Sequence, residues 1–453
     1  MLKSAVSAAA LIGAVLGQLV FGVLADRLGR RVNMIATCVI LIVGGVLCTA
    51  AYGPTPTSTL WALVLARGIL GFGIGGEYPL SAASSAEDAT CIEDRNRRVA
   101  LTFSLQGLGS LAAAVMGDLL VRHLAPHHRG GNDPRDLEVV WRLLFGIGVV
   151  PALFVVYFRW RADETEVFTA SAERVPIDQD EEQYGENTQP RLAFGKLMLQ
   201  HYGVRLLGTA GAWFLFDIVF YAQNLFSASL LSVVGIHDAS LKQITRQNVY
   251  VALLALPGYY VAVYYINSLG RKRIQMQGFA VMAVLFVILS VWWDTIEQSS
   301  TSFIVLFGLA LFFSNFGPNT STFVLPTEMF PTPIRATCHG ISAAMGKMGA
   351  ALGSYGFSPL VQMPGIGFHG VFFVFAMICL VALPLTHFCV FDNKRSLDEM
   401  DREFDAIVQE HVGILGRRDD GEDGLKKISA ADPFLMTTSS SFGDGELAQV
   451  SPT

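Results

Sequence analysis

The sequence predicts an all-α membrane protein that crosses the bilayer many times. Three observations carry this. Of 453 residues, 52% are hydrophobic and only 15% are charged, against about 25% charged in a soluble domain. Apolar runs of 18 residues or more recur, each long enough to cross a ~30 Å hydrocarbon core as a helix. Cations gather in short segments between these runs, the pattern that sets orientation in a bilayer.

Composition also excludes several classes. The net charge of −6 is modest and sits largely in loops and tail, so no nucleic-acid partner is expected. Cys38, Cys48, Cys91, Cys338, Cys379 and Cys389 are scattered and show no metal or disulfide spacing. No disulfide framework, metal site or cofactor is expected. Gly71–Gly76 is glycine-rich, but it lies inside an apolar run and follows no strand, so it is not a nucleotide loop. No nucleophile–base arrangement marks an enzyme.

Eleven spans are expected, at about 4–25, 33–52, 59–82, 98–122, 139–159, 203–232, 247–268, 274–293, 302–327, 336–361 and 368–390. The opening Met-Leu-Lys and its apolar run are not a cleaved leader, because they continue without a small-residue cleavage site into Gly22–Arg31. The polar region 160–201 separates a first half, 1–159, from a second, 202–391. The tail, 392–453, is acidic and rich in Ser and Gly, and is expected to be disordered.

Arg27, Arg30 and Arg31 follow the first span, and Arg95, Arg97 and Arg98 the third. Arg271, Lys272 and Arg273 follow the seventh, and Lys394 and Arg395 the last. This places the central loop and tail in the cytoplasm. The loops at 53–58 and 362–367 carry no charge and lie outside. Those around His123–Glu138 and before Val249 are mixed. With an odd number of spans, Met1 also lies outside.

The segment Leu24-Ala-Asp-Arg-Leu-Gly-Arg-Arg31 resembles Ile266-Asn-Ser-Leu-Gly-Arg-Lys-Arg273. Each is a tight turn between two spans. Asp26, Arg27, Gly29 and Arg30 in one, and Gly270 and Arg271 in the other, are expected to lock neighbouring helices. Asn267 replaces the acid in the second copy and should weaken that lock. Two spans precede the second turn but one precedes the first, so the first repeat is expected to lack its opening helix. A design of two repeated halves places a substrate site between them near the midplane.

The run Gly208–Phe226 carries Asp217 near its middle. A carboxylate at that depth costs at least ~2.5 kcal/mol, so it normally faces a cavity or a partner. Trp213, Asp217 and Tyr221 are four apart and share one helix face. Lys347 lies ~18 Å along its helix from Arg335, also deep in the bilayer. The bland alternative is that Asp217 and Lys347 form a structural pair. Gln106 and Asn319 can equally be amides that join helices, and Trp213 and Tyr221 ordinary packing aromatics. Arg67 either tunes a proton path or snorkels outward. His339 reads as capping or interfacial, and Asp118 as interfacial.

The turns resemble those of the major facilitator superfamily. A narrower resemblance is to the phosphate:proton symporters of fungi and plants. Gly75-Gly-Glu-Tyr-Pro-Leu-Ser81 resembles their signature, with Glu77 where Asp is usual. Ser104–Gly109, Leu207–Phe226, Phe312–Asn319 with Pro326–Pro331, and Arg335–Lys347 resemble further stretches of these relatives, in the same order. The resemblance implies a major facilitator fold of two pseudo-symmetric halves, with eleven helices here and twelve in the family. It implies proton-coupled import of inorganic phosphate across the plasma membrane by alternating access. It places phosphate against Tyr78, Gln106, Trp213, Asp217, Tyr221, Asn319 and Lys347, with Asp217 and Glu77 as proton carriers. Two other readings stay open. One is a sugar or organic-solute porter of the superfamily, which needs no Lys347 opposite Asp217. The other is a non-transporting phosphate receptor whose tail, with Ser439, Ser440 and Ser441, carries signalling sites.

Overall fold

The computed structural model describes residues 2–125, 134–174, 189–233, 240–393 and 395–409, and these contain no β-strand. The chain divides into a unit of residues 1–401, which holds every long helix, and a second unit, 402–453. The first half supplies α1 (Leu2–Leu28), α2 (Arg30–Ala50), α3 (Pro56–Glu87), α4 (Ile92–Leu124) and α5 (Pro134–Arg161). A short α6 (Glu166–Arg174) precedes α7 (Gln189–Val233), α8 (Leu241–Tyr265) and α9 (Arg271–Val291). After the one-turn α10 (Trp293–Ile296) come α11 (Ser300–Ser314), α12 (Thr320–Met329), α13 (Thr332–Gln362) and α14 (Gly367–Cys389).

Counting α11 and α12 as one interrupted span, eleven long helices appear among the described residues, and ten are apolar enough to cross a membrane. The eleventh, α13, carries Arg335, His339 and Lys347 among Gly, Ala and Ser. Its low hydropathy has a simple cause: it packs between α1 and α7 rather than facing outward. By contrast, α5 exposes Leu153, Phe154, Tyr157 and Phe158. Further contacts of α4 with α8 join the early helices to the later ones.

The glycine run of α3 has a packing role. A Cβ at Gly71 or Gly75 would collide with the backbone of Ala10 or Ala14 on α1. Small residues four apart on both helices allow this close approach.

The two repeated turns are built alike. Gly29 has φ 91° and Gly270 has φ 85°, a region that costs most residues roughly 1–2 kcal/mol. Each turn ends at a helix start capped by a distant carboxylate. Arg30 N and Arg31 N donate to Glu164 at 3.0 and 3.1 Å. Lys272 N donates to Asp392 at 2.9 Å. An anion at a helix N-terminus satisfies unpaired N–H groups and opposes the helix dipole.

The central region 160–201 contains α6 and the first turns of α7. Other expectations need correction. The described part of the tail is also ordered. Ser396 Oγ accepts from Glu399 N at 3.2 Å while Glu399 accepts from Ser396 N at 3.1 Å, a capping box. Asp401 accepts from Thr332 N at 2.7 Å. Residues 410–453, including the three serines, lie outside the described residues. Asn267 does not leave its turn loose: its amide donates to Glu93 O at 2.9 Å, and Arg271 pairs with buried Glu328. The ninth expected span is broken by a π-turn at Asn315–Asn319, where Phe316 and Gly317 leave helical geometry. Pro318 supplies no N–H, which accounts for the break.

Candidate functional site

Asp217 and Lys347 meet in the middle of the bundle. Lys347 Nζ donates to Asp217 Oδ2 at 3.0 Å, and both residues are almost fully buried, at 2% and 3% exposure. The helices dictate this meeting, because α7 and α13 pack along their length. Lys347 is also 4.8 Å from the Tyr78 ring centre and 4.6 Å from that of Tyr221. The ammonium therefore sits between two aromatic faces with a carboxylate as counter-ion, a setting that retains a buried charge.

Aromatic rings extend this centre. Tyr78 lies 6.2 Å from Trp213 and 6.1 Å from Phe323. Phe323 stacks on Phe103 at 4.6 Å, and Phe103 lies 5.9 Å from Tyr259. The Tyr259 hydroxyl accepts from Asn319 Nδ2 at 2.9 Å, and the same amide donates to Asn315 at 2.8 Å. The break in the α11–α12 span thus places two amides beside the aromatic cluster. Unwound backbone at this depth is tolerated where it is enclosed by protein or lines a cavity.

The structure gathers Tyr78, Trp213, Asp217, Tyr221 and Lys347, with Asn319 joined through Tyr259 and Phe103. Gln106 is half-buried on α4, three residues beyond Phe103. It makes no hydrogen bond with any described residue. Glu77 points elsewhere. Its two oxygens accept from Arg159 Nη1 and Nη2, both at 2.6 Å, and Thr37 Oγ1 donates at 2.6 Å. Successive helix residues differ by about 100°, so Glu77 faces α2 and α5 while Tyr78 faces the centre.

A second acid-rich network lies at the end of the bundle that carries the repeated turns, called here the basic end. Glu87 is buried and accepts from Arg30 Nε at 3.0 Å and Nη2 at 2.8 Å. It also accepts from Thr165 Oγ1 at 2.8 Å and from Arg335 Nη1 at 3.1 Å. Asp26 pairs with Arg30 at 3.2 Å and accepts from Thr337 N at 2.7 Å. The first turn is thereby tied to α13. Arg27 is exposed and takes no part.

Other expected residues settle as follows. Arg67 is half-buried with its guanidinium 5.7 Å from the Phe145 ring. Asp118 is not merely interfacial, since it pairs with Arg122 and accepts from Thr245 at 2.8 Å, linking α4 to α8. His339 is fully buried rather than interfacial. Glu87, Arg159, Tyr259, Phe323 and Arg335 were not singled out by sequence. The surface hollow lined by Leu256, Pro257, Tyr260 and Tyr264 is apolar and lies on the outer side of α8. It has no chemistry in common with the centre.

Comparisons with known proteins agree with this architecture. The sequence profile of the sugar (and other) transporter family matches residues 1–404. Inorganic phosphate transporter 1-2 of Oryza sativa is 35% identical over 457 residues, with 90% of this chain and 86% of that protein covered. Low affinity inorganic phosphate transporter 3 of Petunia hybrida is 33% identical, covering 89% and 83%. Among solved structures, the major facilitator superfamily proton:xylose symporter XylE superposes with TM-score 0.70 at 20% identity, covering 88% of this chain and 89% of that one. The E. coli fucose:proton symporter FucP gives TM-score 0.62 at 12% identity, covering 86% and 91%.

Proposed function

We propose that this chain, an integral membrane transporter and not an enzyme, imports inorganic phosphate together with protons. It belongs to the sugar and other transporter family of the major facilitator superfamily. The observation that carries the cargo reading is the buried Asp217–Lys347 pair within a ring of aromatic and amide donors. The phosphate transporters similar to it, covered over most of their length, support the same reading.

The chemistry fits an oxyanion. Lys347 supplies positive charge as a point cation. The hydroxyls of Tyr78 and Tyr221, the Trp213 indole and the amides of Gln106 and Asn319 are donors for phosphate oxygens. Asp217 accepts from a protonated oxygen, which selects against the fully ionised anion. Phosphate then displaces the carboxylate from Lys347, and Asp217 takes a proton in exchange. Glu77 serves as a second proton-coupled group, in which protonation releases Arg159 and loosens the contact of α3 with α5.

The halves 1–159 and 202–391 rock about this centre in an alternating-access cycle. The central loop and the tail face the cytoplasm, and the protein works in the plasma membrane. The test is uptake of labelled phosphate by cells that lack their own phosphate transport. Excess arsenate, a tetrahedral oxyanion, should suppress uptake at least tenfold, and glucose should leave it unchanged. Suppression by glucose and not by arsenate would overturn the cargo.

A further inference from the structure

His339 is a buried titratable group with no role so far. It lies two turns from Lys347 on α13, about 12 Å along the helix toward the basic end. Its ring packs edge-on against Trp213 at 5.5 Å and against Phe323 at 5.1 Å. Trp213 is one turn from Asp217 on α7. The indole therefore stands between His339 and the charged centre, on the side toward the Glu87 network.

The hydrogen bonds fix the tautomer. His339 Nε2 lies 3.1 Å from Phe323 O. A carbonyl only accepts, so Nε2 carries the proton and donates. In a neutral imidazole the other nitrogen is then a bare acceptor. That atom, Nδ1, is buried and has no hydrogen-bond partner among the described residues. A buried acceptor left unpaired is unfavourable, and a step of the cycle that brings it a proton relieves that cost.

We propose that His339 Nδ1 is the inner proton acceptor of transport. This rests on the phosphate reading above. Asp217 returns its proton to the bound singly protonated dianion as it re-pairs with Lys347, and the resulting doubly protonated monoanion leaves the centre toward the basic end once Trp213 and Phe323 part. It transfers one proton to Nδ1, becoming the singly protonated dianion, and the imidazole becomes imidazolium. As water enters, the imidazolium passes that proton to water and returns to its neutral form. The proton bound outside is in this way delivered inside with the phosphate.

The surrounding charges favour a transient role. Toward the midplane stand Asp217 of α7 and Lys347 of α13, with the Tyr78 hydroxyl of α3. Toward the basic end stand Asp26 and Arg30 near the α1–α2 turn, Glu87 of α3 with Arg335 one turn below on α13, and Glu328 of α12 with Arg271 of α9 and buried Arg95 of α4. On α13 His339 lies between Arg335 and Lys347, and so between these two charged levels.

The test uses the full chain, purified and reconstituted in liposomes. His339→Gln keeps an amide donor for Phe323 O but has no titratable nitrogen. Two rates are compared with the unmodified chain: exchange of labelled for unlabelled phosphate at equal pH, and accumulation driven by an acidic exterior. We expect exchange within about twofold of the unmodified chain and accumulation reduced at least tenfold. Accumulation within twofold would overturn the proposal. Parallel loss of both rates would overturn it too, showing His339 to be only a packing residue. An unmodified chain that exchanges no phosphate would instead overturn the cargo reading, and this proposal with it.

Discussion

Two buried carboxylates invite comparison. Asp217 at the centre is engaged by Lys347 through one oxygen, with aromatic rings on the flanks. Glu87 at the basic end is engaged through both oxygens by Arg30, Arg335 and Thr165. The first pair can change partners without stranding other charges, because a proton or an anion replaces one member at a time. The second cannot open without leaving buried Arg335 short of its carboxylate partner and Arg30 with Asp26 alone. Removing one member of a buried pair costs about 3–5 kcal/mol. The centre is therefore suited to binding and release, and the basic end to holding a closed state.

The largest break in this comparison should come from Lys347→Gln. Phosphate loses its cation and Asp217 is left unpaired. A loss of ~3 kcal/mol corresponds to about a 100-fold weaker binding. Phosphate binding to purified protein checks this. Asp217→Asn combined with Lys347→Gln removes both charges, and should melt at a higher temperature than Lys347→Gln alone. The double substitution leaves no uncompensated charge.

A smaller effect on binding is expected from Glu87→Gln. The central residues are untouched, so phosphate affinity should change less than about threefold. The closed basic end should weaken instead. Cys338 is buried on α13, next in the chain to Thr337, whose N–H donates to Asp26 of this network. In a version keeping it as the sole cysteine, Glu87→Gln should raise its labelling by a maleimide several-fold. Unchanged labelling would remove the latch role from Glu87 and leave it a packing residue.

Much of this was legible in the residues. Apolar runs marked the long helices, and the repeated Gly-Arg turns marked Gly29 and Gly270 as tight-turn positions, where the structure has positive φ. Asp217 and Lys347 stood out because charges deep in apolar runs need a reason. What sequence did not show follows from geometry. Glu77 and Tyr78 are neighbours in the chain but face opposite sides of α3. Glu87 and Glu328 sit at the ends of apolar runs, where an acid reads as solvated, yet each is fully buried by helices distant in sequence. Nearness to a helix start makes His339 read as capping or interfacial, but α13 is covered at that level by α1, α7 and α12. The α11–α12 break and the Ser396–Glu399 capping box did have local signals, in Gly317-Pro318 and in the Ser-x-x-Glu spacing.

The central claim is that Asp217 exchanges Lys347 for a proton as phosphate binds. Its most direct test is Asp217→Asn in reconstituted liposomes, with phosphate accumulation followed against an imposed pH gradient. Asparagine fills the same space but carries no titratable proton. The account predicts that gradient-driven accumulation falls to background. Accumulation that still rises as the exterior is acidified would contradict it.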